Sequence, residues 1–174
     1  VAEEIAPLVS EAEETEVFPR ALFRKWAELG LLGVRYPEAD GGSGFDKISD
    51  CIVREELSRV CQAFASSWSA HTHLALWPLW RAGTPDQKAD YLPRVASGDL
   101  VMSFALTEPD AGSDAASLKT KAELDGDEWV INGEKWFSSN ARYAAFLIVM
   151  VVTDPQAPPY RRMSMLLVPS DTPG

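Results

Sequence analysis

The chain of 174 residues carries 26 acidic against 16 basic side chains, a formal net charge of −10, with 46% hydrophobic residues. That balance argues against nucleic acid as a partner, because phosphates recruit Lys and Arg. The length allows one large domain or two small ones, burying roughly 70% of the unfolded surface. No apolar run approaches the roughly 20 residues of a membrane helix and no secretory leader opens the sequence, so a cytoplasmic setting is expected. Cys51 and Cys61 stand about 15 Å apart if one helix carries both, beyond the roughly 7 Å Cα limit of a disulfide. Two buried thiols are expected.

Ile5, Leu8, Val9 and Ala12 fall at i, i+3, i+4 and i+7, which predicts a helix over 1–16 with Pro7 as a kink or as its first turn. Pro19 opens a second helix with Phe18, Leu22, Trp26 and Leu29 on one face, closed by Gly30 or Gly33. The glycine-rich loop 37–44 follows no strand and lacks GxGxxG, so it reads as a connection. Asp46 caps a third helix to about Val60, burying Val53, Leu57, Val60 and Phe64. A fourth is expected over 63–81, where Trp68, Trp77 and Trp80 are either core or ligand-facing. His71 and His73 lack the i, i+4 spacing of a helical metal site, so no metal is expected. Thr84-Pro85-Asp86-Gln87 spells a capping box for a last helix ending at Gly98. From Leu100 the period becomes strand-like, which places a domain boundary near Asp99.

In the second part, Leu118, Ala122 and Leu124 sit at even spacing, and Trp129 and Ile131 alternate. Asp125-Gly126 is expected to turn the chain between these runs with both residues at positive φ. Asn132-Gly133 supplies a second turn before a strand-like Lys135-Trp136-Phe137. Residues 145–153 read as a strand buried on both faces, and 163–168 as a further one. About six strands are too few to close a barrel, and an open edge is expected to need more chain than is present. In the loop 108–114, Pro109 stiffens, Gly112 frees, and Ser113 adds a hydroxyl beside backbone N–H groups, a nest able to hold an anion.

The ordered set LTEPDAGSD, INGEKWFSSNA and SMLLVPSDTPG, preceded by ELGLLGVRYPEADGGSG and RAGTPDQKADYLPRVASGD, resembles the acyl-CoA dehydrogenases over nearly the whole chain. The resemblance implies an α+β fold: an all-α N-terminal domain, residues 1–99, then a truncated β-barrel middle domain, residues 100–174. It implies FAD-dependent α,β-desaturation of an acyl-CoA thioester in fatty-acid β-oxidation, with electrons passed to electron-transferring flavoprotein. A homodimer or homotetramer is expected of the full-length protein. Phe104, Leu106 and Thr107 would follow the flavin's pyrimidine edge, and Gly112 and Ser113 the pyrophosphate. Phe137 and Ser139 would lie beside the flavin, at positions where the family often has Trp and Thr. Trp136 would point to the opposite side of its strand, and the tryptophan-bearing helix would run along the acyl-chain pocket.

Glu108, Asp110 and Asp114 are expected on the phosphate side of that loop, with the two aspartates turned away or capping N–H groups. None is assigned as catalytic base, which in the family is a carboxylate in a C-terminal helical domain not contained here. The 174 residues alone are therefore expected to be inactive. Two other readings compete: a same-fold oxidase or monooxygenase whose reduced flavin reacts with O₂, and a non-catalytic interaction module.

Overall fold

In the computed structural model, which describes residues 3–174, side-chain caps start the helices that follow Asp46 and Thr84. Helix α1 (Pro7–Thr15) has proline in its first turn, where a missing N–H costs nothing. Helix α2 (Ala21–Glu28) buries Leu22, Phe23 and Trp26. Leu29 departs from expectation and is 61% exposed. It caps the helix, and the chain turns away at Gly30 before the side chain can join the buried face. Helix α3 (Lys47–Val60) starts at Asp46, whose carboxylate accepts from the Ser49 N–H at 2.8 Å. Both cysteines are free, but only Cys61 is buried; Cys51 lies on the exposed side of α3.

The single helix expected over 63–81 is three pieces: α4 (Gln62–Ser69), a π-helical turn Ala70–Ala75, and α5 (Leu76–Ala82). The wider turn changes where the histidines sit. His71 is fully buried, and its Nδ1 accepts from the Met102 N–H at 3.2 Å. His73 Nε2 meets the Asp50 carboxylate of α3 at 2.7 Å. Two of the three tryptophans are tied into the structure, Trp68 Nε1 to the Leu31 carbonyl at 2.8 Å and Trp80 Nε1 to Asp40 at 2.7 Å. Only Trp77 presents a large exposed face. Helix α6 (Pro85–Ala96) has the full capping box, Thr84 and Gln87 bonding each other's backbone N–H.

Five strands follow: β1 (Met102–Ala105), β2 (Lys121–Asp125), β3 (Glu128–Asn132), β4 (Phe146–Val152) and β5 (Met163–Pro169). The count falls short of six because Lys135–Phe137 does not join the sheet. The strand order is β1-β4-β2-β3, with β5 also on β4, and the sheet stays open. β4 and β5 are antiparallel in register from Phe146↔Pro169 to Val152↔Met163. β2 and β3 form a hairpin in which Asp125 faces Glu128. The turn is therefore Gly126-Asp127, one residue later than expected, and Gly126 alone among the hairpin's turn residues has positive φ (+66°). A glycine-first turn suits the right-handed twist of a hairpin as well as the expected type does.

β2 touches β4 through one parallel pair, Lys121↔Val152. Ala105, Ala122, Val149 and Val151 form a sheet-face core, flanked by Ile131, Leu147, Leu166 and Val168. Leu124 lies past the point where β2 leaves β4 and is 59% exposed, against the expected alternation. The chain divides into two compact units, one up to Met102 and one over Ser103–Gly174. Among the described residues no helix is long and apolar enough to cross a membrane.

Candidate functional site

The sheet unit gathers most of the candidate residues at the end of β1. Phe104 lies within the strand, whereas Leu106 and Thr107 extend past its end. The segment 135–139 runs beside them and is stitched to them at three points. Ser103 Oγ donates to the Ser139 carbonyl at 2.8 Å, the Trp136 N–H to the Thr107 carbonyl at 2.8 Å, and Lys135 Nζ to the Leu106 carbonyl at 3.1 Å. Sequence-distant residues Thr107 and Ser139 are thus brought into neighbouring segments.

This segment is not a strand, and that changes Phe137. Its φ is +54°, a region that a bulky side chain enters at a cost of about 1–3 kcal/mol, and its ring is 84% exposed. Asn140 is also left-handed, at φ +70°. Trp136 is not packed on an opposite strand face. It is half exposed, donates to Glu134 at 2.9 Å, and lies edge-to-face on Phe137 at 5.8 Å. Gly133, with φ +157°, passes so close to Thr120 that a Cβ would come within 2.3 Å of the hydroxyl.

The loop after Thr107 begins as a tight turn. The Glu108 N–H and the Ala111 carbonyl bond at 3.0 Å, and the Ala111 N–H returns to the Glu108 carbonyl at 3.2 Å. Pro109 and Asp110 form its corner. Beyond it, Gly112 and Ser113 are exposed, and a Cβ on Gly112 would meet nothing within 4 Å. Among the described residues the backbone N–H groups of Gly112 and Ser113 have no acceptor, and the hydroxyls of Thr107, Ser113 and Ser139 have no hydrogen-bond partner. No hydrogen bond joins Gly112 or Ser113 to Phe137–Ser139.

The loop carboxylates behave differently from one another. Asp110 pairs with Lys119 at 2.7 Å, and Asp114 accepts from Ser117, so both are engaged along the loop itself. Glu108 does not face outward at all. It is 6% exposed and accepts from the Lys119 N–H at 2.7 Å, the Thr120 N–H at 2.9 Å and Lys135 Nζ at 2.8 Å. Burial by itself would raise the carboxyl's pKa; the Lys135 ammonium, Thr120 and the Lys119 N–H outweigh it and hold the group at about 2. The link between Glu108 and Lys135, 27 residues apart, leaves no spacing signal in the sequence. The only hint was that each residue lies within one of the two motifs.

In the helical unit, His71 is the other strongly shifted group, lowered to about 4 because burial disfavours its charge, with the Val95 carbonyl opposing that effect. Its Nε2 has no hydrogen-bond partner among the described residues. No group of three His, Cys, Asp or Glu among the described residues is placed to hold a metal.

Two family models match consecutive stretches of the chain. The family model "Acyl-CoA dehydrogenase, N-terminal domain" matches residues 1–99, and "Acyl-CoA dehydrogenase, middle domain" matches residues 103–174. The chain is 46% identical over 171 residues to the probable acyl-CoA dehydrogenase YngJ of Bacillus subtilis, covering 98% of this chain and 45% of that protein. It is 40% identical over 173 residues to an acryloyl-CoA reductase (NADH) of Anaerotignum propionicum, covering 98% and 43%. A solved glutaryl-CoA dehydrogenase from Mycobacterium smegmatis in complex with FADH2 superposes with a TM-score of 0.92 at 33% identity, covering 99% and 43%. The chain thus spans less than half the length of the relatives it matches. On the two family models and these relatives, it belongs to the acyl-CoA dehydrogenase family.

Proposed function

We propose that this chain is the flavin-side part of an FAD-dependent acyl-CoA dehydrogenase, with residues 1–99 as its helical N-terminal domain and 100–174 as an incomplete middle β domain. The whole protein would desaturate an acyl-CoA thioester between Cα and Cβ in cytoplasmic fatty-acid β-oxidation. It would act as a homodimer or homotetramer and pass electrons to electron-transferring flavoprotein. The observation that carries this reading is the exposed Phe137, held at φ +54° in a segment hydrogen-bonded alongside Thr107. Backbone held at a cost persists where the surrounding structure fixes it, and such positions cluster at ligand sites.

The residues fit FAD. Thr107 and the backbone beside it would hold the pyrimidine edge, Ser139 would donate toward N5, and the Phe137 ring would pack on the flavin plane. The N–H groups of Gly112 and Ser113 would take the pyrophosphate, and the open space at Gly112 leaves room for it. FAD, when bound, supplies the hydride acceptor that no amino-acid side chain can provide. Donors fixed at the pyrimidine edge favour the negative charge that develops there. Removing the Cα proton needs a base within hydrogen-bond reach and with a pKa near the working pH. Glu108 fails on both counts, since its oxygens are engaged and its pKa is about 2. Glu108 is therefore not proposed as the base.

The test is titration of the full-length apoprotein with FAD, followed by anaerobic addition of acyl-CoA of several chain lengths. Stoichiometric FAD binding and flavin bleaching are expected, with the reduced flavin reoxidised by a ferricenium acceptor and not by O₂. Rapid reoxidation by O₂ would favour an oxidase, and absence of FAD binding would leave an interaction module as the better account.

A further inference from the structure

Glu108 and Lys135 form a buried ion pair whose carboxylate and ammonium are only 5% and 11% exposed. Neither residue is among the groups that would touch the flavin, and neither is free to act as a base. Their bonds nevertheless converge on the segments that would. Lys135 Nζ holds the Leu106 carbonyl, one residue before Thr107, and Lys135 itself lies two residues before Phe137. The Glu108 carboxylate adjoins Thr107 in sequence and fixes the far end of the phosphate loop through the N–H groups of Lys119 and Thr120. One charge pair therefore sets the spacing of three pieces of chain: the β1 end, the loop 108–120 and the segment 135–139.

A structural ion pair would suffice to explain the burial, but not the direction of its bonds. Replacing a buried pair by apolar groups of similar volume is often neutral for stability. Here the extra donors and acceptors are main-chain groups of the segments that carry Thr107, Gly112, Ser113, Phe137 and Ser139. We propose that Glu108 and Lys135 are positioning residues of the flavin site, holding the pyrimidine-edge strand, the pyrophosphate loop and the Phe137–Ser139 segment in mutual register. The inference rests on the FAD-binding reading and specifies what enforces its geometry. Misplacing a bound group by about 1 Å can cost roughly 100-fold, so a loosened register should appear as weaker binding and altered flavin electronics before the fold is lost.

The experiment uses full-length protein carrying Lys135→Met, Glu108→Gln, the double variant, and Glu108→Asp. FAD dissociation constants, flavin midpoint potentials and melting temperatures are measured for each. Amide exchange at Lys119 and Thr120 is followed in the FAD-free protein. Each single variant should weaken FAD binding by about 10- to 100-fold, shift the potential, and speed exchange at those amides. The double variant should be no worse than the worse single one, since residues in one network are non-additive. Glu108→Asp keeps the charge but shortens the arm by one carbon, so it should fold and still lose at least tenfold in FAD affinity; it carries the test alone if the other variants do not fold. Variants that melt lower yet bind FAD with wild-type affinity and potential would reduce the pair to a stability element and overturn the proposal. Failure of the wild-type protein to bind FAD would instead overturn the underlying reading.

Discussion

The two units handle their polar side chains in opposite ways. In the helical unit the polar groups near the core are tied inward: His71 to the Met102 N–H, His73 to Asp50, Trp68 to Leu31 and Trp80 to Asp40. Buried atoms without a partner occur in both units, His71 Nε2 and Trp26 Nε1 in one and Thr120 Oγ1 in the other, and all are sealed from solvent. In the sheet unit the buried charges, Glu108 and Lys135, are also satisfied, yet the hydroxyls of Thr107, Ser113 and Ser139 lie unengaged where a ligand can reach them. A buried group without a partner costs stability, whereas an exposed hydroxyl can be met by water or by a ligand. The buried orphan marks packing that tolerates a modest cost.

The largest expected effect tests the accessible half of that contrast. Thr107→Val with Ser139→Ala removes two donors to a charged ring, each worth about 1.5–3 kcal/mol. The flavin potential should become more negative and the reductive half-reaction slower, while the melting temperature barely moves. Unchanged potential and rate in the double variant would remove both residues from the site.

Acid should separate the two units next. The folded pKa of His71 is about 4 against an ordinary 6.5, so the unfolded chain binds more protons below pH 6.5 and stability falls from there down to about pH 4. The folded pKa of Glu108 is about 2 against 4.5, so its contribution is intact above 4.5 and is lost between about pH 4.5 and 2. Each window is worth about 3 kcal/mol at 1.36 kcal/mol per pKa unit. Hydrogen exchange at pH 5 should show the helical unit weakened first, and His71→Gln should remove that early loss. Equal weakening of both units at pH 5 would contradict the assignment.

A somewhat smaller loss is expected from Asp50→Ala, which leaves His73 without its carboxylate in a largely buried position. About 1–3 kcal/mol is expected, the cost of leaving a largely buried ring N–H without its acceptor. Thermal melting should drop while FAD affinity stays at the wild-type level. The smallest effects come from a glycine pair. Gly133→Ala drives a Cβ against Thr120 and should cost about 1–3 kcal/mol. Gly112→Ala meets open space and should change stability by less than about 0.5 kcal/mol, yet weaken FAD binding. Wild-type FAD affinity in Gly112→Ala would place the pyrophosphate elsewhere.

Local chemistry was legible in the sequence. Asp46 and Thr84 cap where they should, and Pro7 and Pro85 sit in first turns. What escaped depends on partners far along the chain. A π-turn adds one residue to an otherwise helical run, and six residues are too few for a shifted period to show against a 3.6-residue pattern. The hairpin turn moved by one residue because the pairing of Asp125 with Glu128 overrode the dipeptide preference. Nothing in the residue type announces a phenylalanine at φ +54°. The inward course of Glu108 is fixed by a lysine 27 residues away, which the loop's own composition does not encode.

The hairpin β2–β3 is joined to β4 by a single residue pair and by the Val152 N–H to the Thr120 carbonyl at 2.8 Å. Both of its legs meet Glu108, one through Lys119 and Thr120 where it leaves the loop, the other through Lys135 just past its return. Five-residue strands extend about 17 Å from that base. Mechanically the hairpin is a cantilever clamped at its base by the packing of Ala122 and Ile131 on Val149 and Val151 and by the Glu108 carboxylate, with its free end at Leu124 and Trp129 exposed.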